Sequence, residues 1–260
     1  MYAKCILLLL LCLLLTSSLT ARMRNGYAPE LSIARECLQL LSQRLLFEPD
    51  MSERERRKIH TAIKKHADVI AMYELTQSLL LQFKAVSPKM YALMDALEDK
   101  RGRETDVYVR FVPEQKSPMK LSGTSFFRVS PTDTDASQSR FGKFTVAIDI
   151  WICDTSLNIL AHELGHTSYI VPNLAAYLSY YGNIYRSPLT ATHVGHSPTD
   201  ASGRMAYSFG QQYLRDRRAY KSSMGTLPRV ATVMKDVKRT IYESVESRFN
   251  DLIASSVSYE

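Results

Sequence analysis

The sequence predicts an α+β fold in which a small mixed β-sheet packs against a helix that contains two histidines. Apolar residues recur at helical spacing in the first part of the chain, alternate with polar residues over 107–152, and then return to helical spacing around His162 and His166. The 260 residues therefore divide into a helical N-terminal segment, 22–104, and a second part, 105–260, with the sheet and long C-terminal helices.

The first 21 residues are predicted to be a secretory signal peptide. Lys4 gives a short positive start, residues 5–15 form an unbroken apolar run, and Ala21 is a small residue before a cleavage point. The apolar run is shorter than the roughly 20 residues that a spanning helix needs. We therefore expect an exported protein (secreted, periplasmic or at the cell surface), with no stable membrane insertion after the signal is removed. An uncleaved anchor is the alternative.

Two cysteines remain after the signal peptide. In an exported chain Cys37 and Cys153 can form one disulfide, and two separate buried thiols are the alternative. No Cys-x-x-Cys pair indicates a structural zinc finger.

The formal net charge is +7. Its densest run, residues 54–58, contains no aromatic residue among the charges, so we expect no nucleic-acid site. On a long helix such a run forms a solvated face, and contact with an anionic cell surface is the minor alternative.

The elements of the N-terminal segment follow from caps and periodicity. Residues 22–28 are predicted to be a tail, and an amphipathic helix follows over 29–47. Ser52 and Glu55 match a capping box that begins a long helix. Residues 89–99 then predict a third helix.

Three strands are predicted next. Val107 to Phe111 alternates, Thr124 to Val129 is a second candidate, and the third strand shows the clearest alternation. In the third strand one face contains the apolar set Phe144, Val146, Ile148, Ile150 and Ile152.

A helix after the third strand contains His162-Glu163-Leu164-Gly165-His166. One turn separates the two histidines, so both imidazoles point the same way and can bind one zinc ion. Glu163 lies beside them, where it can accept a proton from a bound water. Six histidines and 26 acidic residues predict only roughly 0.01 chance matches to His-acid-x-x-His.

The other faces of this helix are predicted to be packing faces. Leu157, Leu160 and Leu164 fall together and can enter a core. Ala161 and Gly165 form a strip of small residues, which a neighbouring backbone can approach closely.

The pattern His162-Glu163-x-x-His166 resembles the zincin metallopeptidases, whose shared motif is H-E-x-x-H. The resemblance covers five residues and is supported by context over about 25. It implies a zincin-like fold, a catalytic zinc and Glu163 as general base. It also implies a protein or peptide substrate that adds as an extended strand to one edge of the sheet.

A catalytic zinc usually has a third protein ligand, and the sequence leaves its identity open. The third histidine of metzincins is missing, and the nearest match to the gluzincin acid is Gln212 before Asp216. His196 is our predicted third ligand because it lies just before a helix start, in a stretch that can reach across a cleft. Asp200 is the alternative ligand, and His193 follows.

The C-terminal part is predicted to be helical. Ser197 is the predicted cap of a helix that runs to about Tyr220, and a last helix begins near Thr226 and packs over the catalytic core. One of four tyrosines before these helices can donate a hydrogen bond to an oxyanion, with packing as the alternative. They are Tyr177, Tyr180, Tyr181 and Tyr185.

The sequence thus predicts a zinc-dependent metallopeptidase that hydrolyses peptide bonds. Two alternatives remain: a cell-wall peptide hydrolase that uses the same site, and a catalytically silent zinc-binding protein on the same scaffold. Oligomeric state, and whether 22–104 is a propeptide or a packed accessory segment, stay open.

Overall fold

The computed structural model describes residues 23–48, 50–98, 105–113, 123–129, 144–173 and 200–257. It is an α+β structure that is mostly helical. Its strands are β1 (Met23–Asn25), β2 (Thr105–Val112), β3 (Gly123–Val129) and β4 (Phe144–Trp151). Its helices are α1 (Ala28–Phe47), α2 (Glu53–Val86), α3 (Pro88–Asp95), α4 (Ser156–Ile170), α5 (Ala201–Met224) and α6 (Val230–Val257).

The four strands form one sheet in the order β1-β2-β4-β3. β1, β2 and β4 run parallel, and β3 pairs with β4 in the antiparallel sense at one edge. In this register Val107 lies beside Val146 and Phe111 lies beside Ile150, so that one face is continuously apolar. The predicted small mixed sheet is therefore confirmed.

The predicted tail at 22–28 is wrong for residues 23–25, which form β1. Met23 and Asn25 are buried, and the Asn25 side chain donates to the Tyr73 carbonyl and accepts from the Tyr27 backbone N–H. A strand of three residues is too short to show an alternation in the sequence. Its position is fixed by pairing with β2 and by the Asn25 hydrogen bonds.

One hydrophobic core spans both predicted parts of the chain. α2 packs on one face of β1 and β2, and α4 packs on β3 and β4. Side chains from the helical segment, such as Leu75 and Phe83, join Phe111 and Ile148 from the sheet and Leu160 from α4. Each fully buried side chain of this kind contributes about 1.5–3 kcal/mol, so the sheet and its helices depend on one another for stability.

Helix ends agree with the sequence where a local cap decides them. The capping box of Ser52 and Glu55 is confirmed, with hydrogen bonds in both directions. α3 ends at Asp95 instead of residue 99, because Leu97 turns into the core and its carbonyl accepts from the Thr105 N–H. These are tertiary contacts, which the spacing of apolar residues along a helix cannot predict.

The two C-terminal helices differ from the prediction in where they start. α5 begins at Ala201 with Asp200 as its cap, because the Asp200 carboxylate accepts from the Ser202 backbone N–H at 2.8 Å. The predicted cap Ser197 lies outside the described residues. α6 packs along α2, where Tyr242 donates a hydrogen bond to Asp68. Val230 at the start of α6 is buried in the core that α4 also enters, as predicted.

Cys37 and Cys153 are not joined by a disulfide. Cys37 is half-buried and Cys153 is exposed, so the prediction of a buried thiol is wrong for Cys153. Among the helices that the structure describes, none is both long and apolar enough to cross a membrane.

We predict that Met23→Ala destabilises the fold by about 2–5 kcal/mol, because Met23 is only 3% exposed in the core. Met224→Ala is the matched control, since Met224 is 74% exposed and its loss should stay within about 0.5 kcal/mol. Urea unfolding of both variants measures the difference. Equal stabilities would show that β1 adds nothing to the core.

Candidate metal centre

A short turn joins β4 to α4 and sets the direction of the histidine helix. The Ser156 hydroxyl accepts a hydrogen bond from the Cys153 backbone N–H at 2.7 Å and lies 2.8 Å from the Trp151 carbonyl oxygen. Ser156 is fully buried. The buried Ser156 hydroxyl therefore ties the end of the strand to the first turn of the helix.

The predicted core face of α4 is confirmed. Leu157, Leu160 and Leu164 are buried against the sheet and α2. Glu163 and His166 are each 7% exposed, and His162 is half-buried. α4 therefore buries two polar side chains of the motif as well as its apolar stripe.

The two histidine rings meet at their Nε2 atoms, which lie 3.2 Å apart. The rings are nearly perpendicular, at 84°, with centroids 4.8 Å apart. Two nitrogens that each lie about 2.05 Å from a tetrahedral zinc would be about 3.3 Å apart. The spacing of the pair therefore fits two ligands of one zinc ion.

The other ring nitrogen of His166 has a partner that sequence reasoning missed. His166 Nδ1 lies 2.8 Å from Ser202 Oγ, in the first turn of α5, and Ser202 is 1% exposed. A ligating histidine usually donates from its second nitrogen to an acceptor of this kind. The sequence analysis placed the cap at Ser197, whereas the observed cap Asp200 brings residue 202 into the first helical turn.

α5 reaches the histidine helix because Gly165 has no side chain. A Cβ on Gly165 would lie 2.5 Å from Ala206 Cα and 2.8 Å from the Met205 carbonyl oxygen. The predicted strip of small residues, Ala161 and Gly165, is buried as expected, and at Gly165 a neighbouring backbone does approach closely. This contact brings the start of α5 within hydrogen-bond distance of His166.

Tyr213 anchors the middle of α5 against α2. Its ring stacks on Phe83 at 5.3 Å between centroids, with an angle of 7° between planes. Burial raises the pKa of Tyr213 to about 12. α5 is thus fixed against α2 as well as against α4.

The structure describes only part of the predicted ligand set. His162, His166 and Asp200 are described, and His193, His196 and the four tyrosines at 177–185 lie outside the described residues. Within the described ranges, no three His, Cys, Asp or Glu side chains come together in a group that could hold a metal.

Asp200 and the Gln212–Asp216 pair have other hydrogen bonds. The Asp200 carboxylate caps α5, as described above. Asp216 accepts from Ser87 and from Gln212, at 2.5 and 2.6 Å, and so joins α5 to the start of α3. The Gln212–Asp216 pair therefore serves helix packing. Asp200 is connected to His166 through Ser202, whose backbone N–H it accepts from and whose hydroxyl contacts the ring.

The edge strand β3 lies next to the histidine helix. β3 pairs with β4 on one side, and in the described sheet no strand pairs with its other side. α4 packs on β3 as well as on β4. An extended segment that pairs with the outer edge of β3 would therefore lie on the side of the sheet nearest this helix.

No protein-family model matches the chain, and comparisons with curated proteins and with solved structures returned no match. The function is therefore inferred from the site itself.

We predict that Gly165→Ala lowers the free energy of unfolding by about 1–3 kcal/mol, because the added methyl group meets the backbone of α5. Gly210→Ala is the matched control on α5, since its Cβ would lie 3.6 Å from Asn158 Oδ1. Alanine favours a helix over glycine by about 0.5–1 kcal/mol, so Gly210→Ala should be neutral or stabilising. Urea unfolding checks the pair, and a Gly165→Ala protein as stable as Gly210→Ala would contradict the close approach.

Proposed function

We propose that the chain is a zinc-dependent metallopeptidase of the zincin type that hydrolyses peptide bonds in protein or peptide substrates. The main support is the 3.2 Å separation of His162 Nε2 and His166 Nε2 on a buried helix, with Glu163 beside them. Two imidazoles at the spacing of zinc ligands and an adjacent carboxylate are the groups that this hydrolysis requires.

Each residue of the motif has a distinct role in this proposal. His162 and His166 would hold zinc, which supplies a Lewis acid and lowers the pKa of a bound water. The Glu163 carboxylate accepts the proton of the attacking water and then delivers it to the leaving amine. The low exposure of Glu163 reduces competition from bulk water for this proton.

The outer edge of β3 is the proposed binding place for the substrate backbone. An extended peptide there would make main-chain hydrogen bonds with the strand, and its alternate side chains would point towards or away from α4. Main-chain hydrogen bonds of this kind depend little on the sequence of the substrate, so specificity would come from contacts with the side chains of the substrate.

Export completes the proposal. The apolar leader at 1–21 lies outside the described residues, and its pattern alone supports secretion. The mature chain would then act outside the cytoplasm, where a cell-wall peptide is a possible substrate as well as a protein.

We predict that Glu163→Gln keeps zinc and lowers hydrolysis of casein by about 10²-fold or more, because the amide cannot accept the proton. Glu246→Gln is the matched control, since Glu246 is exposed on α6. Chelator should abolish wild-type hydrolysis and added zinc should restore it. If Glu163→Gln cleaves casein at the wild-type rate, the mechanism is wrong. Zinc binding without any turnover of casein or cell-wall peptide by the wild type would favour the silent scaffold.

We predict that His196→Ala loses zinc strongly, because it removes the third ligand. Asp200→Asn should weaken zinc binding by about 10–100-fold, because the lost carboxylate would orient the imidazole of that ligand. Asparagine caps a helix as well as aspartate does, so Asp200→Asn removes the charge and keeps the cap of α5. Zinc stoichiometry and affinity, measured by chelator competition on folded proteins, test both. The reverse order makes Asp200 the ligand, and unchanged affinity in both directs the search to His193.

A further inference from the structure

We propose that Ser202 is a positioning residue for His166: its hydroxyl accepts the Nδ1 proton and so directs the Nε2 lone pair to the metal. This proposal rests on the proposed function in its reference to a metal. Its first part, the choice of tautomer, concerns the metal-free protein and stands by itself.

The local geometry supports a direct hydrogen bond. His166 Nδ1 and Ser202 Oγ are 2.8 Å apart, and both residues are buried. A neutral imidazole has one N–H and one lone pair, so a proton on Nδ1 leaves Nε2 as the acceptor. His162 then donates from its own Nε2 across the 3.2 Å contact when no metal is bound.

Ser202 is held in place by contacts that do not involve His166. Its backbone N–H donates to Asp200 Oδ1 at 2.8 Å, which fixes the first turn of α5. The contact of Gly165 with Ala206, one turn further along, sets the distance between the two helices. The hydroxyl is therefore presented at a fixed place before any metal binds, which reduces the entropy cost of ordering the ligand.

A competing explanation is that Ser202 is only a small residue for helix packing. It belongs to a buried strip on α5 with Gly203, Ala206 and Gly210. On that explanation alanine would serve as well as serine, and the protonation of the His166 ring would not depend on position 202. The two explanations therefore differ in a spectroscopic observable and not only in stability.

The test compares wild type, Ser202→Ala, Ser202→Thr and Ser168→Ala. Ser168→Ala is the matched control, because the Ser168 hydroxyl on α4 donates to the Gly165 carbonyl at 2.9 Å and does not contact an imidazole in the described hydrogen bonds. Nitrogen-15 NMR of the metal-free proteins reports which ring nitrogen of His166 is protonated. Chelator competition with zinc alone then reports the affinity.

We expect His166 to be the Nδ1–H tautomer in wild type, Ser202→Thr and Ser168→Ala, and to shift towards Nε2–H in Ser202→Ala. Zinc affinity should fall about 10–100-fold in Ser202→Ala and stay unchanged in Ser168→Ala. An Nε2–H tautomer in the wild type overturns the proposal even if Ser202→Ala fails to fold. So does an unchanged tautomer in folded Ser202→Ala. A wild type with the Nδ1–H tautomer that binds no zinc would refute the proposed function and leave the role of Ser202 in fixing the ring intact.

Discussion

The approach of α5 to α4 at Gly165 and Ala206 is the contact on which the geometry of the histidine pair depends. Without a side chain at 165 the two backbones come close enough for Ser202 to reach His166. The other supports of α5 are the Tyr213–Phe83 stack and the Asp216–Ser87 hydrogen bond, both against the segment formed by α2 and the start of α3. The N-terminal helices therefore position α5, and α5 in turn positions the ring of His166.

This dependence gives the N-terminal segment a structural role. α2 packs against the sheet and supplies buried side chains to the core, and β1 adds a strand to the same sheet. Removal of these elements would expose the apolar face that β2 and β4 share, and α5 would lose its anchors on Phe83 and Ser87. A detachable inhibitor would cover a preformed core, whereas this segment builds the core. The packed accessory segment is the interpretation that these contacts favour.

Periodicity and caps predicted the parts of the fold that depend on local sequence. Three elements could be predicted because their patterns repeat over several residues. They are the long helix after Ser52, the alternating strand β4 and the apolar stripe of α4. β1 could not be predicted, because its three residues are fixed by pairing with β2 and by the hydrogen bond from Asn25 to the Tyr73 carbonyl of a distant helix. The contact of α6 with α2 was not predicted for a similar reason. An apolar face shows that a helix is packed, but it does not identify the element that the helix packs against.

The candidate site was predictable as far as it lies on one helix. His162, Glu163, His166 and the need for a small residue at 165 all follow from spacing along α4, whereas Ser202 is 36 residues away from His166 and is brought there by tertiary packing. The burial of this site also supports a function. Glu163 and His166 are each 7% exposed, as is Leu157 on the same helix, although a buried polar group stabilises a fold less than an apolar one. An apolar residue at either position would add more to the core, so packing alone does not account for the buried carboxylate and imidazole of α4.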